Sequence, residues 1–301
     1  MAVNDQAPSR EAPLAQEPSQ ASSAQKPRSR RRGRRDPMMW FYLAILALVG
    51  LAAVVVPLLS PHTETGGSIA DRYEGMSSEH WLGTDRQGRD LLVRLAIGAQ
   101  SAIIAAAGVS ILTAVLATIL SLTAVWFGGW VDGLISRVLD FLFAFPNLLL
   151  AVLAVAIFGP SVQTAVVALA IGYAPYSARI IRSVALRERA LPYVRSSELQ
   201  GISGLLITAR HLLPNVRQQI LTGMTINFGY AMIELAALSF LGLGVQPPKA
   251  DWGLMVSDGQ EALLAGHPAE SILAGLGIVI TVAAVGYVGE RLGGRKAEGR
   301  S

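Results

Sequence analysis

Long apolar runs separated by short charged stretches dominate the pattern of this chain. Six runs are of crossing length, at 40–59, 101–127, 138–158, 162–181, 220–241 and 272–289. About 20 apolar residues cover the hydrocarbon core of a bilayer. The pattern therefore predicts an all-α polytopic membrane protein with six transmembrane helices. Small residues crowd these runs, as in "SAIIAAAGVS" and "ILAGLGIVI". They let helix backbones approach closely in lipid, within one bundle or between subunits.

One segment breaks the pattern. "GISGLLITARHLLPN" (201–215) is leucine-rich but sits among arginines and contains Gly201, Gly204 and Pro214. Ile202, Leu205, Leu206, Ala209, Leu212 and Leu213 fall on one helical face, with Ser203, Thr208 and Arg210 opposite. The spacing predicts a short amphipathic helix that stops before Asn215, because a proline disfavours helical geometry in the residue before it. Its apolar face needs a partner: the ends of the spans, the lipid surface or another protein.

Charge orients the bundle. The stretch "KPRSRRRGRRDP" carries seven Lys or Arg between Lys26 and Arg35. Such a run directly before a span reads as an orientation signal and an anionic-lipid contact rather than a nucleic-acid site. It is not a cleaved leader, because the following run reaches span length and no small-x-small site follows. With that tail inside, 20 of the 25 Lys and Arg fall on the inner side. Both termini are then cytoplasmic. The chain divides into a disordered basic tail (1–37), a first span (38–60), an extracytoplasmic loop (61–100), a five-helix core (101–290) carrying the cytoplasmic loop 182–219, and a cytoplasmic tail (291–301).

Composition agrees, with 52% hydrophobic residues, 15% charged residues and a mean hydropathy of +0.45. No cysteine is present, which excludes disulfides and thiolate chemistry, and the four histidines are too scattered along the chain for a zinc motif. No phosphate-binding loop of the G-x-x-x-x-G-K-[ST] type occurs. The expected protein is not an enzyme and holds no cofactor.

Ionisable residues within the runs are few. Asp140 lies near the inner end of the third, and Glu234 lies well inside the fifth. A carboxylate at membrane depth is a functional candidate, or else an acceptor that holds helices together. On the outer side, "GTDRQGRD" (83–90) concentrates Asp85, Arg86, Arg89 and Asp90. That mixture suits a zwitterionic solute, a docking surface for a binding protein, or a solvated loop held by weak local ion pairs.

Four stretches carry a resemblance. "YVRSSELQGISGLLITARHLLPN" is similar to the cytoplasmic signature loop of importer-type ABC transporter permeases, E-A-A, three residues, Gly, nine residues, I-x-L-P. "HWLGTDRQGRDLLVRLAIGAQSA", "GGWVDGLISRVLDFLFAFPNLLLA" and "LSFLGLGVQPPKADWGLMVSDGQ" each resemble the dipeptide, oligopeptide and nickel branch. The resemblance spans roughly residues 40–290 and implies the type I ABC importer permease fold. It implies that Arg195, Ser197, Glu198, Gly201, Leu205, Leu206, His211, Leu213 and Pro214 belong to a coupling helix that docks on an ATPase. It further implies a second homologous permease, two ATPase subunits binding ATP and magnesium, and an extracytoplasmic solute-binding protein. Glu234, Asp140, Asp85, Arg89 and Asp90 are the candidates for the translocation pathway or outer gate. One departure stands out: the E-A-A triplet maps onto Arg195, Ser196 and Ser197, a base in place of the acid. The competing reading is an autonomous proton-coupled transporter that uses Glu234.

Overall fold

The computed structural model describes residues 37–294. The expected tails at 1–37 and 291–301 lie outside them, apart from Pro37 and residues 291–294. Helix dominates the described residues, and β pairing is limited to the isolated bridges Gly67 to Arg89 and Thr84 to Asp90.

Helix α1 (Pro37–Leu59) leads into an irregular segment, 60–90, and then α2 (Leu91–Phe127). Helix α3 (Gly129–Phe143) and α4 (Asn147–Phe158) follow, and α5 (Val162–Arg189) returns through the bundle. Short α6 (Pro192–Leu199) and α7 (Gly204–Ile207) precede a π-turn at Thr208–Leu212 and the long α8 (Leu213–Phe240). Helices α9 (Trp252–Leu264) and α10 (Ala269–Gly294) complete the order.

Five of these units are long and apolar enough to cross a membrane: α1, α2, α5, α10 and the continuous helix Gly204–Phe240. The third run differs from a single span. It is the pair α3 and α4, bent by 87°. Pro146 disfavours helical geometry at Phe145, and α4 begins only after it. At about 1.5 Å per residue, α4 alone is far shorter than the hydrocarbon thickness.

Small residues build the core. Ala99, Ala102, Ala106 and Val109 of α2 pack with Ala165 and Leu169 of α5 and with Ala231 and Met232 of α8. Large apolar side chains such as Leu48, Ile104, Ile119, Leu276 and Val279 point outward. An outward apolar surface of this extent fits lipid rather than water.

A second cluster sits at the arginine-rich end. Leu122 and Val125 of α2, Leu139 of α3 and Ile181 of α5 enclose Val194, Ile207, Leu212 and Val216. The helix predicted at 201–215 thus belongs to a longer one and does not stop before Asn215. Leu213 keeps φ −57° and ψ −45° although Pro214 follows. A proline in a helix lacks its N–H and crowds the carbonyl one turn back. The π-turn widens that turn, and Pro214 stands directly after it, at the second residue of α8.

Candidate functional site

The arginine-rich end is assembled from the segment between α5 and α8. Its inward residues Ile207, Leu212 and Val216 are spaced by five and then four, and the step of five is the π-turn. That extra residue turns the predicted apolar face away from the bundle. Leu205 is 83% exposed, and Leu206, Ala209 and Leu213 are exposed as well, whereas Leu212 alone of that predicted face is fully buried. Leu199, at the end of α6, joins them at 89% exposed. The result is a leucine surface on a segment locked from behind.

Two sets of contacts make the lock. Asn215 donates to the Glu188 carboxylate at 2.9 Å, to the Tyr193 hydroxyl at 3.2 Å and to the His211 carbonyl at 2.9 Å, tying α5, α6 and the π-turn together. Tyr193 in turn donates to Glu188 and stacks edge-on against the His211 ring at 5.4 Å. Partial burial and the hydrogen bond to Glu188 push the Tyr193 hydroxyl up to about 12. The second set centres on Trp126 at the end of α2. The Arg189 guanidinium lies over its ring at 4.9 Å and donates to the Trp126 carbonyl at 2.6 Å. Gly204 packs directly on the same ring, where any Cβ would collide with it.

Gly201 lies before the amphipathic helix rather than within it. It ends α6: its φ is +74°, its N–H bonds the Glu198 carbonyl at 3.0 Å, and Ile202 N–H bonds the Ser197 carbonyl at 3.2 Å. This is a left-handed helix stop, which glycine adopts without a Cβ penalty. Arg195 and Glu198 lie exposed on α6; Glu198 approaches Arg189 at 3.9 Å, and the Ser197 hydroxyl bonds the Tyr193 carbonyl.

The membrane candidates separate. Asp140 pairs with Arg179 at 2.8 Å on an exposed face. The stronger link between α3 and α5 is not visible in the sequence: Asp132 takes a two-pronged bond from Arg182 at 2.7 and 2.5 Å. Glu234 is half-buried beside Tyr173 of α5, and its Oε2 makes no hydrogen bond. Between α5 and α8 a cavity of about 180 Å³ is lined by Tyr176, Ser177, Gln219 and Asn227, with Asn227 donating to Ser177 at 3.1 Å.

The opposite end, formed by segment 60–90 and the connection around α9, hides its charge. Asp85 is 1% exposed and accepts from Arg89 Nε at 2.5 Å and from the backbone N–H groups of Gln87 and Arg89. Arg94 is fully buried, with Nε 3.4 Å from Asp85. Asp90 caps α2 through Val93 N–H and bonds His80 Nδ1, both at 2.9 Å. Asp258 of α9 stands 3.9 Å from Arg89, and buried Glu270 of α10 faces the same arginines. Asp85, Arg89 and Asp90 are therefore interior groups rather than the displayed outer charges their polarity suggests. Trp252 seals the neighbouring wall, packed between Gly98 and Gly277 with Nε1 donating to the Leu95 carbonyl at 2.9 Å. Burial pushes the nearby Asp251 carboxyl above its usual range, while hydrogen bonds from Ser239, Gly253 and Leu254 pull it back.

The described residues thus form a bundle of apolar helices with a packed polar cap at one end and an uncovered leucine surface at the other. Residues 110–294 match the family described as "Binding-protein-dependent transport system inner membrane component". The chain belongs to that family. It is 37% identical over 252 residues to the dipeptide transport system permease protein DppC of Alkalihalophilus pseudofirmus, covering 83% of this chain and 82% of that one. It is 36% identical over 251 residues to the glutathione transport system permease protein GsiD of Pectobacterium atrosepticum, covering 83% of each. Among solved structures, the inward-facing MetNI methionine ABC transporter aligns with a TM-score of 0.53 at 20% identity, over 67% of this chain and 94% of that one. This likeness establishes a shared fold.

Proposed function

We propose that this chain is the permease subunit of an ATP-driven importer for di- or oligopeptides or a related small solute. It works with a second permease, two ATPase subunits that bind ATP and magnesium, and a solute-binding protein on the outer face. Both termini lie in the cytoplasm, and the chain itself holds no cofactor. The observation that carries this reading is the outward surface of Leu199, Leu205, Leu206 and Leu213 on a segment whose back is fixed to α2, α3 and α5. Burying one such leucine contributes about 1.5–3 kcal/mol, so four form a strong site for a protein partner. Arg195 beside them calls for an acidic residue on the ATPase, where the usual pattern has the charges reversed.

ATP-driven closure of the ATPases moves that surface as a rigid body, and α7 through α8 carry the motion into the bundle. Glu234 then serves as a polar lining group of the pathway. Proton coupling through it is disfavoured because no second ionisable side chain beyond the tyrosines adjoins it among the described residues.

The test replaces Leu206 with Glu in the reconstituted complex. Recruitment of the ATPase and transport both fall by at least about tenfold, a loss of about 1.4 kcal/mol or more, with the helices still inserted. Gly201→Leu, which strains a left-handed turn by about 1–2 kcal/mol, lowers coupling by distorting the stop of α6. Full recruitment and unchanged transport in both variants overturn the reading.

A further inference from the structure

Three of the side chains that the sequence scatters come together just beyond α1. His62, Glu79 and His80 each offer one ligand atom, and all three atoms lie within 4.8 Å of one another. The two imidazoles stand 4.7 Å apart with a 35° tilt. We propose that they form a binding site for a divalent transition-metal ion of the zinc, nickel or copper kind.

Local structure presents each ligand. Pro61 stiffens the exit from α1, and His62 N–H bonds the Ser60 hydroxyl at 3.1 Å. A closed turn holds the other two: His80 N–H bonds the Ser77 hydroxyl at 3.0 Å and Ser77 N–H bonds the His80 carbonyl at 2.9 Å. His80 is buried, and its Nδ1 meets Asp90 at 2.9 Å. Asp90 is itself pinned as the cap of α2. A carboxylate on one ring nitrogen fixes the tautomer, leaving Nε2 with its lone pair free for a ligand bond. Metal-binding histidines are oriented by the same device.

The three groups have no competing partner. Among the described residues, no hydrogen bond or ion pair is made by the His62 ring, by His80 Nε2 or by the Glu79 carboxylate. Two neutral nitrogens and one carboxylate suit borderline ions, whereas magnesium and calcium require oxygen ligands. Tetrahedral zinc with bonds of about 2.0–2.2 Å places its ligands roughly 3.3–3.5 Å apart. Exposed Glu79 and half-buried His62 have room to close that gap onto the fixed His80. The open side leaves a fourth position for water or an incoming ligand. Occupancy would fasten the segment leaving α1 to the turn that precedes α2. None of this rests on the transport reading.

Zinc is the probe. The full chain is prepared in lipid nanodiscs with a purification tag free of histidine, stripped with chelator, and titrated with zinc chloride by calorimetry at neutral pH. One equivalent binds and raises the melting temperature. His62→Ala and Glu79→Ala each weaken binding by about tenfold or more, and the double variant loses the stoichiometric site. Both positions lie away from the buried core, and an unchanged elution profile on size exclusion verifies the fold. His267→Ala leaves binding intact, and a large excess of magnesium fails to displace zinc. Absence of a stoichiometric site in the wild-type chain, or its survival in the double variant, overturns the proposal.

Discussion

The two ends of the bundle handle polarity in opposite ways. Around segment 60–90, Asp85, Arg89, Asp90, Arg94 and Glu270 are shut inside a tightly packed cap. At the other end, Leu199, Leu205 and Leu206 stand outside while Val194, Ile207 and Leu212 anchor their backbone. Charge buried in matched surroundings makes an end complete in itself. Hydrophobic surface left out on an anchored support leaves an end open to a further contact.

The sharpest way to break the comparison is to unbalance the cap. Asp85→Ala leaves Arg89 and Arg94 buried without their shared carboxylate, which costs about 3–5 kcal/mol. The expected outcome is loss of the monodisperse protein or a large fall in melting temperature, followed by fluorescence-detected size exclusion. A variant as stable as the parent would mean that the cap is wet and loosely held. Gly204→Ala is the intermediate case at the far end, because its methyl group must displace the Trp126 ring from beneath Arg189. A cost of about 1–3 kcal/mol follows. Tryptophan fluorescence of a variant keeping Trp126 alone reads the ring's displacement, and an unchanged spectrum and melting point would show that the support is soft. The smallest effect belongs to Arg179→Ala. Its pair with Asp140 is exposed on both sides, so stability shifts by only about 0–1 kcal/mol. A larger loss there would place that pair within a buried interface in the assembled complex.

Much of the fold is legible in the sequence because crossing a bilayer demands length and apolarity, and 40–59 or 162–181 meet both without help from distant residues. The third run is harder to place. Its composition is that of a span, but Pro146 fixes a local bend that divides it. That the segment 201–215 is helical and leucine-rich is legible from the leucine spacing, yet neither where its helix ends nor which face it buries is. A π-turn adds one residue to the helical count, and no composition signal marks it. The outer charges mislead for a related reason. Polarity alone places "GTDRQGRD" in water, whereas burial depends on Asp258 and Glu270, which arrive from α9 and α10 far along the chain. His62 and His80 give no signal as a pair because they are separated by a loop of irregular structure whose path no periodicity encodes.

The helix Gly204–Phe240 runs unbroken for 37 residues, about 55 Å at 1.5 Å per residue. It is a lever. Gly204 rests on Trp126 at one end, and Ser239 meets the Asp251 cap of α9 at the other. Pivoting such a rod about its middle by roughly 5° carries each tip roughly 2–3 Å in opposite directions. That displacement is comparable to the width of a water molecule, enough to open a gap between some side chains while pressing others together. The π-turn at Thr208–Leu212 interrupts its regular geometry close to the Trp126 end.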